Sequence, residues 1–156
     1  MISYILTNVI KIFYHLLDLD LGIKMSIFVS YIAMLIFFIV AEIIVLSNIM
    51  QPLFKKHIGF LMNEETNFSI AAIFYLVYVA GVFWFATRAG IKSESYLVAI
   101  FSGAFLGLLA FGTYEITNLV ILKDWKISLV LVDTLWGIIV TSSMAYVGYK
   151  AHSFFS

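Results

Sequence analysis

Three acidic side chains lie inside long apolar stretches of this sequence, at Glu42, Glu115 and Asp133. An ionisable residue at such a position costs about 3 kcal/mol or more in a bilayer, so it predicts a functional site by default. No lysine, arginine or histidine lies inside the same stretches. Three carboxyls cannot all stay ionised in dry apolar surroundings without a cation, water or a basic ligand. The residue types therefore indicate a site that handles protons or cations.

The depth of each carboxyl follows from its distance to the nearest polar end of its stretch. At 1.5 Å of helix rise per residue, Asp133 lies about 10 Å, Glu115 about 12 Å and Glu42 about 13 Å from that end. In a chain with four spans, the first and third loops face the same side. The three carboxyls are therefore expected in one layer, on three different helices, nearer to that side.

Aromatic and amide side chains extend the candidate site. Tyr75 and Tyr78 lie roughly 12 to 17 Å from the polar start of the second stretch. Asn118 and Trp136 each follow an acid by three residues and so share its helix face. Read singly, each acid can be satisfied locally, and each aromatic ring can serve packing alone. Read together, they predict a ligand- or proton-binding site of eight residues: Glu42, Tyr75, Tyr78, Tyr114, Glu115, Asn118, Asp133 and Trp136.

The elements that carry these residues are membrane helices. Hydrophobic types make up 63% of the 156 residues, charged types only 12%, and the mean hydropathy is +1.08. A soluble domain is roughly half apolar and about a quarter charged. The sequence predicts an all-α integral membrane protein, a bundle of four transmembrane helices preceded by an amphipathic helix. About 20 apolar residues cross a bilayer, and the spans are expected at about 25–47, 68–86, 96–118 and 127–149.

The first 22 residues differ from the membrane domain, residues 23–156. Apolar residues from Ile2 to Leu17 recur at helical spacing on one face, with polar residues opposite. This pattern predicts an amphipathic helix that lies in the membrane interface. A signal peptide and a fifth span are the alternatives. The first lacks an early basic region, and the second would place Lys11 near the middle of the membrane.

Two features bear on partners. Gly103 and Gly107 form a small-xxx-small pair that lets another helix approach closely, and a homodimer is expected through this face. Trp125 and tyrosines near the span ends are expected to be interfacial anchors. The net charge is zero, so no nucleic-acid partner is expected. Cysteine is absent, which excludes thiolate metal sites, and no cofactor and no metal ligand is assigned.

Several motifs of the last three spans resemble one known family. In chain order they are Phe74–Gly81, Gly103–Gly107, Tyr114–Asn118, Leu122–Trp125 and Asp133–Gly137. They resemble the bacterial predicted membrane proteins with domain of unknown function 2177, over roughly residues 25 to 149. The resemblance implies four spans in a bacterial inner membrane and implies no activity. Five positive charges against four favour cytoplasmic termini.

Some positions depart from the family pattern. Acids at positions 42 and 115 are commonly aspartate in the family, whereas this chain has the longer glutamate. The aromatic residue that often follows the first acid is missing, because Ile43, Ile44 and Val45 stand there. Residues 1–20 look like an addition to the family's domain.

Three functions remain open from the sequence. The leading hypothesis is a protein that binds or moves a proton, a cation or a cationic small molecule, with carboxylates and aromatic faces as ligands. The second is a membrane-embedded enzyme acting on a lipid or isoprenoid, with two carboxyls as acid and base or three around Mg²⁺. The third is an accessory subunit whose acids pair with a basic residue of a partner.

Overall fold

Helices make up this protein's structure. The computed structural model describes the backbone of residues 2–62 and 68–155, and the side chains of residues 21–60, 62 and 69–155. Within these ranges there is no strand. The described part of the chain forms six α-helices: α1 (Ile2–Val45), α2 (Gln51–Ile58), α3 (Phe68–Val82), α4 (Arg88–Lys92), α5 (Tyr96–Ile121) and α6 (Ile127–Phe155).

Four helical segments are long and apolar enough to cross a membrane. They are called the first to fourth spans here: Leu21–Ile58, Ser69–Lys92, Tyr96–Ile121 and Ile127–Phe155. The predicted all-α architecture with four spans is confirmed. The helix α1 runs from Ile2 into the first span without a break. The predicted amphipathic face of residues 1–22 falls almost entirely outside the described side chains, and its place in the interface stays a prediction.

Two spans contain a π-helical turn. The first has one at Leu46–Met50, where the N–H of Gln51 donates to the carbonyl of Leu46 five residues earlier. Pro52 follows in the first turn of α2, where a missing N–H costs little. The helix therefore continues past Pro52 to Ile58, beyond the expected end near residue 47. The second span has its π-helical turn at Phe83–Thr87, and such turns frequently occur at functional sites.

The third and fourth spans pack together through glycine. A Cβ added to Gly103 would lie 2.8 Å from the carbonyl oxygen of Thr141, and one added to Gly107 would overlap the carbonyl of Gly137. The small residues therefore let two backbones touch, as the small-xxx-small pair predicts. The partner is the chain's own fourth span. The homodimer predicted through Gly103 and Gly107 is wrong in its choice of surface, because that surface is already covered, and dimerisation itself stays a prediction.

The half of the bundle toward the second loop and the C-terminus is closely packed. Ser30 donates from its Oγ to the carbonyl of Gly148 at 2.7 Å and so joins the first and fourth spans. Met34 is fully buried and contacts Gly148. The π-helical turn of the second span contacts α5 and α6 in the same half. The opposite half, toward the first and third loops, leaves room for a cavity.

Candidate functional site

A cavity of about 510 Å³ lies between the four spans in that looser half of the bundle. All four spans contribute to its wall. Six of the eight predicted site residues line it: Glu42, Tyr75, Tyr78, Tyr114, Asp133 and Trp136. Leu46 and Met50 of the first π-helical turn line it as well. Its volume falls in the range of about 300–1,000 Å³ that is usual for small-molecule sites.

Glu42 is held at the cavity wall by a tryptophan of another span. The indole N–H of Trp136 donates to Glu42 Oε1 at 2.9 Å. The bond joins the first and fourth spans, and among the described residues no side chain or backbone group donates to the second carboxyl oxygen of Glu42. Glu42 is half-buried. The tryptophan thus positions the carboxyl while part of it remains accessible from the cavity.

Asp133 meets a second carboxyl. Its side chain is only 9% exposed and lies close enough to the side chain of Glu115 for the two carboxyls to interact. Two ionised carboxyls at such a distance repel each other, and a proton or a cation relieves the repulsion. Glu42 also lies close enough to act on Asp133 electrostatically. Three acids from three spans therefore form one interacting group, with Glu42 and Asp133 at the cavity and Glu115 behind them.

Glu115 is fully buried and is fixed by Trp125. The indole N–H of Trp125 donates to Glu115 Oε2 at 2.7 Å, while Oε1 has no N–H or hydroxyl donor in the described part of the chain. Glu115 does not line the cavity, and its neighbour Asp133 connects it to the cavity wall.

Trp125 is not the interfacial anchor that the sequence predicts. It is 7% exposed and its ring contacts Phe54 at 6.2 Å and Tyr114 at 5.9 Å, between ring centres. The expected interfacial anchor is therefore a buried part of the site. One signal was present in the sequence: a tryptophan in a short loop, ten residues after a buried acid, can fold back onto that acid.

Aromatic rings form the wall on the side of the second span. The ring of Phe38 lies 5.0 Å from that of Tyr75 and 5.5 Å from that of Tyr78. The hydroxyl of Tyr78 and Oγ1 of Thr141 are 2.7 Å apart and share a hydrogen bond. Thr141 was not among the predicted residues. It orients Tyr78, so the ring of Tyr78 rather than its hydroxyl is presented to the cavity.

Asn118 lies beside this group without lining the cavity. Its Nδ2 is buried and has no hydrogen-bond partner in the described ranges, and the same holds for Oγ1 of Thr134. Asn118 stands one helical turn from Tyr114 and from Glu115. It is therefore a polar neighbour of the buried acid, and its predicted binding role stays a prediction.

A family model described as Predicted membrane protein (DUF2177) matches residues 27–150. The chain belongs to this family. Neither a search of curated proteins nor a search of solved structures finds a match. The matched range contains all eight predicted site residues and begins after the N-terminal segment, as the resemblance implied.

In the described part of the chain, the ionisable side chains that line the cavity include acids but no bases. No lysine, arginine or histidine is among the described residues that line it. In the same ranges, no group of three histidine, cysteine, aspartate or glutamate side chains is arranged to hold a metal ion. An organic cation needs less: negative charge on one side and aromatic faces on the others. The cavity of this DUF2177 protein offers both.

Proposed function

We propose that this protein binds a cationic small molecule in the cavity and exchanges it for a proton. The observation that supports this most directly is the pairing of two acids, Glu42 and Asp133, with an aromatic wall in a cavity that no basic residue lines. Buried acids without a basic partner can be accommodated in few ways: by protonation, by a cation, or by water. The proposal combines the first two, because protonation and cation binding are alternative ways to neutralise the same carboxyls.

The negative charge is arranged for a ligand. Asp133 has no positive neighbour among the groups that act on it, which are the acids Glu115 and Glu42. Glu42 has one neutral donor, the indole of Trp136. A cation about 4 Å from one carboxylate gains about 4 kcal/mol at an effective dielectric constant of about 20. That gain is available only to a positively charged ligand, so the site discriminates by charge.

The aromatic wall suits an organic cation better than a bare ion. Tyr75, Tyr78 and Trp136 line the cavity with ring faces or edges. A cation over an aromatic face gains about 0.5–2 kcal/mol, depending on how far it is removed from water. A small inorganic ion would instead require several oxygen ligands at short distance. An alkylated or primary ammonium group meets the two carboxyls and the rings at once.

Proton exchange follows from the closeness of the two inner acids, Asp133 and Glu115. When the cavity holds no cation, a proton relieves the repulsion between the two carboxyls. A cation beside Asp133 relieves it instead, and the proton is released. The reverse step, protonation of the pair, removes a negative charge and weakens cation binding. Affinity is therefore expected to fall as the pH is lowered, since protons and ligand compete for the same carboxyls.

The two other functions receive less support. The described lining of the cavity contains no serine, threonine, cysteine or histidine, and so no nucleophile paired with a histidine. The acids point between the chain's own helices: Glu115 is fully buried and Asp133 is 9% exposed. A partner's basic residue would have to enter the cavity to reach them. A free ligand needs only the cavity that already exists.

The test compares a cation with its uncharged isostere. Phenyltrimethylammonium and tert-butylbenzene have the same shape and differ by one charge. With the full chain in lipid nanodiscs of neutral phosphatidylcholine, we expect saturable calorimetric binding of the cation and none of the isostere. Glu42→Gln and Asp133→Asn should each weaken cation binding by about 10- to 100-fold, which corresponds to about 1.4–2.8 kcal/mol.

The matched control is Glu94→Gln, which removes one negative charge at the second loop, at the other end of the bundle. It should leave the affinity within about twofold. Thermal unfolding of each variant establishes that the fold is retained. Equal affinity for the cation and its isostere, or equal effects of Glu94→Gln and Asp133→Asn, would exclude the proposal.

A further inference from the structure

The second and third spans separate on the cavity side of the bundle. The third span contacts the second through the π-helical turn Phe83–Thr87 and through α4, both toward the second loop. The helix α3, by contrast, packs on α1 and α6 and makes very few contacts with α5. The rings of Tyr78 and Phe111 lie 6.3 Å apart and join the two spans. Among the described residues, α3 and α5 are otherwise loosely packed against each other, which leaves a gap between these two helices.

The cavity opens into this gap. Phe74 and Tyr114, on the two sides of this gap, both line the cavity and are 62% and 53% exposed. Ala110 also lines it and is exposed, with a side chain too small to close the space between the two aromatic residues. In a membrane-spanning bundle, the outer surface faces lipid. The cavity therefore has an apolar rim on its lipid side and its carboxyls on the inner side.

We infer that the ligand is a cationic amphiphile, with its ammonium group at Glu42 and Asp133 and its hydrocarbon chain leaving the cavity through the gap beside Ala110. This inference rests on the proposed function, because it assumes that the acids bind a cation. It adds the chemical class of the ligand and the route by which the ligand arrives, from the bilayer rather than from water.

The cavity is apolar at the gap and acidic further in, and this arrangement supports an amphiphile over a compact hydrophilic cation. A hydrophilic cation that entered through this gap would have to pass the phenyl ring of Phe74 and the methyl group of Ala110 before it met the first carboxyl. A chain-bearing ammonium compound leaves its apolar part in those surroundings at no cost, because the rim and the lipid are equally apolar. Only its head has to move from the interface to the acids, where charge and aromatic rings receive it.

The test uses two ligands that share a trimethylammonium head. Phenyltrimethylammonium is short enough to lie within the cavity, whereas the chain of dodecyltrimethylammonium must pass the rim. Binding of each is measured below the micellar concentration with the full chain in phosphatidylcholine nanodiscs, after subtraction of partitioning into empty nanodiscs. Ala110→Phe places a ring in the gap, and Ala110→Leu is a smaller second variant. Leu109→Phe, at an exposed position that does not line the cavity, is the matched control.

We expect Ala110→Phe to weaken dodecyltrimethylammonium binding at least tenfold and to change phenyltrimethylammonium binding less than threefold. Ala110→Leu should act in the same direction, and Leu109→Phe should change neither. Equal loss for both ligands in both Ala110 variants, or no loss for the long ligand, overturns the inference while the proposed function stands. If neither ligand binds the unaltered protein, the proposed function fails first and this inference with it.

Discussion

Replacing Trp125 with phenylalanine tests whether the third loop is part of the site. The indole N–H donates at 2.7 Å to a fully buried carboxyl, and Trp125 itself is 7% exposed. Water cannot easily replace the lost donor at such a position. A hydrogen bond to a charged group contributes about 1.5–3 kcal/mol net, and an acceptor left buried without a partner costs a similar amount. Trp125→Phe should therefore lower the free energy of unfolding by about 2–3 kcal/mol.

The measurement is reversible unfolding in mixed micelles as the fraction of denaturing detergent is raised, followed by circular dichroism. Trp84→Phe is the matched control, because Trp84 is 61% exposed and the Arg88 guanidinium lies over its ring at 3.8 Å. That change should cost about 1 kcal/mol or less. A cycle that adds Glu115→Leu should show a coupling of about 1.5–3 kcal/mol between positions 115 and 125. A coupling below about 0.5 kcal/mol would refute the assigned bond.

Two further predictions concern packing and orientation, with the same unfolding measurement. Gly137→Ala should lower the free energy of unfolding by about 1–3 kcal/mol, because the added Cβ would overlap the ring of Phe111. In the control Gly81→Ala the added Cβ meets nothing within 4 Å, so that change should be neutral or slightly stabilising. Equal effects of the two changes would contradict the close approach of the third and fourth spans. Tyr78→Phe and Thr141→Val should each lower the free energy of unfolding by about 1 kcal/mol, because each removes the same hydrogen bond of 2.7 Å. The double variant should be little less stable than either single variant. Fully additive effects would contradict that bond.

The sequence predicts the number of spans and the level of the acids because both follow from fixed lengths. A bilayer demands a certain apolar length, and helix rise converts residue number into depth. Neither quantity depends on how the helices pack. Glu42, Glu115 and Asp133 therefore fall in one half of the bundle, as the count from the loops predicts, and the structure brings their side chains into one group.

The direction in which a residue faces is decided by packing and is harder to predict. Glu115 shares a helix face with Asn118, yet both lie behind the cavity, because the third loop returns Trp125 to the buried carboxyl. Gly103 and Gly107 predict a close helix neighbour but do not identify it as the fourth span. The end of the first span was placed too early, since Pro52 stands in a first helical turn, where proline is tolerated.

The central claim is that the acids at the cavity bind a cation in exchange for a proton. Its most direct test is the number of protons released for each phenyltrimethylammonium bound, obtained by calorimetric titration at neutral pH in buffers of different ionisation enthalpy. The account predicts net proton release by the unaltered protein, and loss of that release in Asp133→Asn and in Glu115→Gln. Cation binding with no proton release, or release that is unchanged in both variants, would contradict it.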